Sequence, residues 1–153
     1  MLVLGIGNLL MGDEGVGVHV VRRLEAVPLP AGVELLDGGT GGFNLLPHLE
    51  SHPRVIIVDA ALDGHPEGTV RVLHPRKAGD FPTHLGAHDI GLKDLIQAAI
   101  LLGRLPEIRL VTVSIAHIQS MVMELSPPLA GAVSRAAETV LGLLRDDAEA
   151  GHA

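Results

Sequence analysis

Cysteine, tryptophan and tyrosine are absent from the 153 residues, and phenylalanine occurs only twice. Without cysteine there can be no disulfide, thiolate metal site or cysteine nucleophile, and nothing marks an oxidising compartment. With so few aromatics the core must be built from Val, Leu, Ile and Ala, which suits a parallel sheet covered on both faces. Basic residues are also few: 11 Lys and Arg stand against 18 Asp and Glu, a net charge of −7 with histidine neutral. That balance repels a polyanion and argues against nucleic acid as a partner. The opening MLVLGIGNLLMGDEG has no basic leader and its apolar run breaks at Gly5, so neither a signal peptide nor membrane insertion is expected. A cytoplasmic monomer is the resulting expectation.

Five apolar runs, at 1–6, 33–36, 54–59, 69–74 and 108–115, predict strands. Helical spacing lies between them. Val16, Val20, Val21 and Leu24 share one face over 14–24, and Leu92, Leu95, Ile96, Ala99 and Leu102 do so over 91–105. The last helix has the clearest signature, with Leu129, Val133, Ala136, Ala137, Val140, Leu141 and Leu144 on one stripe, Ser126 at the N-cap position and Pro127 in the first turn. Alternation of strands and helices predicts one α/β domain over residues 1–145, with a mostly parallel five-stranded sheet and helices on both faces. The loop ALDGHPEG after the third strand is too short for a crossover, so the fourth strand should run antiparallel at or near an edge. The small, polar segment DDAEAGHA, residues 146–153, is expected to fray.

The first strand runs into GIGNLLMGDEGVG, residues 5–17. A glycine-rich turn opening a helix is a common phosphate cradle. Here Leu10 stands where a dinucleotide fingerprint needs its third small residue, and Asp13 and Glu14 stand where a P-loop needs Lys and Ser or Thr. The frame of an anion site survives with its charge inverted, so a cation or cationic group is the better guest. Asp13 reads as an N-cap, favoured by the helix dipole. Glu14 reads as functional, because Gly12, Gly15 and Gly17 do nothing for helix stability and suggest clearance for something approaching the backbone.

Asp59 ends the apolar run RVIIVDA and is delivered to the same sheet edge, where open α/β sheets bind ligands. Asp37 has a similar address and is a second-tier candidate. In THLGAHDIGL, His84 and His88 are spaced like a zinc pair, but the intervening Leu85, Gly86 and Ala87 supply no general base, and Gly86 opposes a shared helical face. One of the two is expected at the site, His88 being nearer the next helix. The other seven histidines, His19 among them, read as solvated surface. There is no G-x-S-x-G elbow for a serine nucleophile.

Taken in order, GIGNLLMGDEGVGVHVVRRL, LLDGGTGG, VIIVDA, HDIGLKDLI and ELSPP resemble the nickel-iron hydrogenase maturation endopeptidase family over nearly the whole chain. The resemblance implies a three-layer α/β/α fold and an aspartate- or metal-dependent endopeptidase. Such an enzyme removes the C-terminal extension of a hydrogenase large-subunit precursor after nickel insertion. It also implies metal-binding positions at Glu14, Asp59 and His88, which would carry catalysis as well. Two carboxylates and an imidazole leave coordination positions open and suit a borderline divalent ion such as nickel or zinc. In this picture the nickel arrives with the substrate, and the isolated protein holds no tightly bound cofactor. A non-catalytic metal-binding chaperone or sensor of the same fold is the alternative, and a nucleotide-binding module a distant third.

Overall fold

The computed structural model describes residues 1–82, 85 and 89–151. β1 (Leu2–Ile6) is apolar on both faces, with Leu2, Val3 and Leu4 all buried, and it occupies an interior position of a five-stranded sheet. β2 (Glu34–Gly39) and β3 (Arg54–Ala61) flank it in parallel, and β5 (Glu107–Ser114) continues in parallel beyond β3. β4 (Val70–Leu73) closes the edge antiparallel to β5, so the order is β2-β1-β3-β5-β4. The antiparallel edge strand expected from the short connection is therefore present, paired with β5 instead of with its predecessor.

The helices complete three layers. α1 (Val16–Leu24) and α4 (Pro127–Glu149) bury Val16, Val20, Val21, Leu24, Leu129, Val133, Ala136, Val140 and Leu144 against one face of the sheet. α2 (Leu46–Glu50) and α3 (Asp89–Leu101) lie with the other face, where Leu49, Leu92, Leu95 and Ile96 pack. Strand alternation fits this division in β3: Ile56, Val58 and Ala60 join the α1/α4 core, while Val55, Ile57 and Ala61 join the α2/α3 core.

Several boundaries differ from those read in the sequence. α2, preceded by a 3-10 turn at Gly42–Leu45, went unforeseen, because five residues cannot display a helical period. α3 stops at Leu101, where Gly103 turns with φ 67° and the Arg104 N–H bonds back to the Ala99 carbonyl. β2 runs on to Gly39 and absorbs Asp37; β3 runs two residues past Asp59. α4 continues to Glu149, carrying helix into the segment expected to fray, and Asp147 within it pairs with Arg54 at 3.1 Å.

The chain passes from β1 to β2 on one side and returns to β3 on the other, so the winding reverses between β1 and β3. Their carboxyl ends bound the crevice where open α/β sheets place their ligands. α1 reaches this edge only by packing very closely on the strands. A Cβ on Gly17 would overlap the carbonyl oxygens of Val58 and Ile6, which are backbone and have no rotamer to yield.

Gly17→Ala should therefore lower unfolding stability by about 3 kcal/mol. Gly142→Ala lies inside α4 with nothing within 4 Å of the added methyl and should raise stability by about 1 kcal/mol. Urea denaturation of both variants checks the pair; equal effects would contradict the packing.

Candidate functional site

Beyond β1 the backbone turns at Gly7, whose φ of 146° few other residues adopt, and then winds into a 3-10 turn at Gly12–Gly15. The loop spends its donors internally. Gly7 donates to the Gly39 carbonyl, Leu10 to Asn8 Oδ1, Met11 to the Asn8 carbonyl, Gly12 to the Val122 carbonyl, and Asp13 to Gln119 Oε1. The Asn8 N–H donates to Glu14 Oε2. The anion cradle thus closes on a carboxylate of its own chain, which leaves no row of N–H groups for a phosphate.

Asp13, Glu14 and Asp59 are, among the described residues, the only buried charged side chains, at 2%, 2% and 3% exposure. Burying a carboxylate is costly unless its oxygens accept hydrogen bonds. Asp13 meets that requirement across the fold. Its Oδ1 accepts from the Ser126 N–H at 2.7 Å, and its Oδ2 accepts from the Ser126 hydroxyl at 2.7 Å and from Gln119 Nε2 at 3.2 Å. The N-cap reading of Asp13 is corrected here: Met11 holds the N-cap position of the 3-10 turn, and Asp13 instead binds residues 119 and 126 far along the chain. Its negative charge also lies at the N-terminus of α4, where the helix dipole favours it. Ser126 occupies the N-cap position of α4 as expected, but its hydroxyl serves Asp13 and makes no side-chain cap.

Glu14 is carried on a turn that packs against β3. Asp59, in β3, sits opposite Thr112 of β5 in register, and its Oδ1 accepts from the Ala60 N–H at 2.8 Å. Alternation directs Asp59 with Ile57 and Ala61 toward the α3 side of the sheet. Thr112 is fully buried beside it, and among the described residues its hydroxyl has no hydrogen-bond partner. The structure therefore brings Glu14 and Asp59 to the two sides of the β1/β3 crevice. His84 and His88 lie outside the described residues, although Leu85 between them forms an antiparallel bridge with Ala61, two residues past Asp59. Among the described residues, no three His, Asp or Glu side chains converge as a metal set.

Three other readings change. Asp37 is exposed, accepts from the Gly39 N–H at 3.0 Å and pairs with Arg22 at 3.7 Å. The glycine clearance is filled by the protein itself: a Cβ on Gly12 would strike the Gln119 side chain, and one on Gly15 the Asn8 and Leu9 backbone. His19 is not simply a solvated surface residue. Its Nε2 is buried, with no hydrogen-bond partner among the described residues. Burial, followed by the Arg22 charge, pushes its pKa below the ordinary value of 6.5. Gln119 and Ser126 were missed as partners of Asp13, because no local pattern announces bonds spanning more than a hundred residues.

A family model described as hydrogenase maturation protease matches residues 18–143. The chain is similar to the hydrogenase 2 maturation protease of Escherichia coli (strain K12), at 34% identity over 95% of this chain and 91% of that protein. It is also similar to the hydrogenase expression/formation protein HupD of Rhodobacter capsulatus, at 45% identity over 69% of this chain and 52% of that protein, so the match spans about half the length of that relative. Among solved structures, the hydrogenase maturating endopeptidase HybD from E. coli superposes with a TM-score of 0.86 at 35% identity, covering 95% of this chain and 92% of that one. The [NiFe] hydrogenase maturation protease HybD from Thermococcus kodakarensis gives a TM-score of 0.76 at 29% identity, covering 94% and 97%.

Asp13→Ala would strand the Ser126 N–H and hydroxyl and the Gln119 amide, and should cost about 3 kcal/mol of stability. Limited proteolysis should then find cuts within 116–126 that the parent resists. For His19, the folded pKa lies below the unfolded value, so the unfolded chain takes up its proton first as pH falls. Its contribution to stability should be full above about pH 6.5 and decline below it. His19→Gln should therefore show a flatter stability profile between pH 7 and pH 5 (roughly the histidine range) than the parent.

Proposed function

Because the chain belongs to the hydrogenase maturation protease family, we propose that it is a cytoplasmic, monomeric endopeptidase that removes the C-terminal extension of a nickel-iron hydrogenase large-subunit precursor after nickel insertion. In this reading the nickel is cargo of the substrate, and Glu14, Asp59 and His88 meet it at the β1/β3 crevice. The observation that carries the proposal is the placement of two buried carboxylates, Glu14 and Asp59, at the switch point of the sheet. A divalent cation is attracted more strongly by carboxylates held away from water than by exposed ones. The carboxylates therefore gain most from a partner that brings such an ion with it. Charge placement also favours a cationic guest over a nucleotide, since the loop's own N–H groups are already bonded within the chain. Among the described residues no helix is long and apolar enough to cross a membrane.

The proposal is tested by incubating the protein with nickel-loaded precursor and following the mass of the precursor. Release of a C-terminal peptide is expected. Glu14→Gln should keep the fold, because its amide oxygen can still accept from the Asn8 N–H, while the cleavage rate falls on the order of 100-fold or more. His88→Ala should lose processing and His84→Ala retain most of it. A stable complex with no cleavage by the parent protein would instead favour a metal-binding chaperone, and parental rates in Glu14→Gln would remove that residue from the site.

A further inference from the structure

The loop held by Asp13 carries a feature that processing chemistry at Glu14 and Asp59 does not use. Residues 10–12 and 121–123 pair edge to edge: the Gly12 N–H donates to the Val122 carbonyl at 2.6 Å, and the Val122 N–H to the Leu10 carbonyl at 3.1 Å. From this paired strip four large apolar side chains stand in solvent, Leu10 at 47% exposure, Met121 at 81%, Val122 at 40% and Met123 at 59%. Residues 118–123, IQSMVM, contain no charged side chain. Met121 has a φ of 57°, the only positive value at a non-glycine residue among those described. Such a conformation is unfavourable outside glycine and persists only where the surroundings impose it. The constraints are visible: both polar atoms of the Gln119 amide are bound to Asp13, and Ser126 is bound to Asp13 twice. A buried carboxylate thus fixes a strained tip that holds methionines out into water.

We propose that Leu10, Met121, Val122 and Met123 form a preorganised platform on which an uncharged, apolar stretch of the precursor polypeptide docks beside Glu14. The inference rests on the function proposed above. Continuity identifies the occupant: the strip runs directly into the turn that bears Glu14, so a polypeptide lying at the β1/β3 crevice extends onto it. Methionine side chains adapt to varied apolar partners, and a platform fixed beforehand loses little entropy on binding. A lipid surface fits poorly, because the chain's net charge of −7 opposes anionic headgroups.

The test compares the parent with the quadruple variant Leu10→Ser/Met121→Ser/Val122→Thr/Met123→Ser, and with a control carrying Leu101→Ser/Leu102→Ser. The control positions are equally apolar, 82% and 55% exposed, and lie at the far end of α3. Dissociation constants for nickel-loaded precursor are measured separately from cleavage. The quadruple variant should bind about tenfold or more weakly, with KM raised similarly, kcat at saturation little changed, and the control at parental values. Met121→Gly suits the positive φ and should keep or raise the melting temperature while still weakening binding, which separates docking from folding. Parental affinity in the quadruple variant, or equal weakening in the control, would overturn the platform. A concentration-dependent dimer of the free parent that the quadruple variant abolishes would assign the face to a second copy. Co-sedimentation with phosphatidylserine vesicles that the variant loses would assign it to lipid; either result would overturn the proposal. Tight binding by the parent without cleavage would contradict the endopeptidase reading alone, and the platform would still be judged by the binding constants.

Discussion

The carboxylate of Asp13 is the constraint on which the functional edge of this protein depends. It is almost fully buried and accepts three hydrogen bonds from residues 119 and 126. A buried carboxylate so satisfied is stabilising, whereas the same group with its donors removed would be a liability of several kcal/mol, on the order of a third of a domain's net stability. The first loop, the 116–126 loop and the start of α4 are therefore locked as one body. Because Glu14 is the next residue, the lock also sets where the neighbouring carboxylate can lie. Asp13 is consumed by donors from the far loop, while Glu14, which accepts from the Asn8 N–H of its own loop, is carried on the turn against β3.

The sheet supplies the second coordinate. Reversal of winding between β1 and β3 opens a crevice at their carboxyl ends, and the close fit of Gly17 on the Val58 and Ile6 carbonyls draws α1 and its preceding turn against that edge. Asp59 reaches the same edge from β3, with the buried Thr112 beside it in register. Loop and sheet meet here to concentrate negative charge at a site whose relatives in the α/β world more often receive phosphate.

Much of this is legible in the sequence because it is local. The apolar runs of β1, β3 and β5 and the stripe of α4 read directly as strands and helix, and the acidic pair Asp13 and Glu14 is enough by itself to exclude a P-loop. The placement of Glu14 and Asp59 at one edge follows from strand-end logic. What fails is long-range or short. Asp13 looks like an N-cap because its bonds to Ser126 and Gln119 span more than a hundred positions, and Gly12 looks like open clearance because Gln119, which fills it, comes from the far loop. α2 is too brief to show a period. His19 reads as surface because no local pattern announces that its Nε2 is buried.

If the acidic crevice reads a divalent ion carried by the substrate polypeptide, affinity must depend on that ion. This is measured most directly by calorimetric titration of the purified protein with two preparations of one large-subunit precursor, nickel-loaded and nickel-free. The nickel-loaded form should bind clearly more tightly, and the difference should collapse when Asp59 is replaced by Asn. Equal affinity for the two preparations, unchanged by that substitution, would show that the crevice does not read the ion.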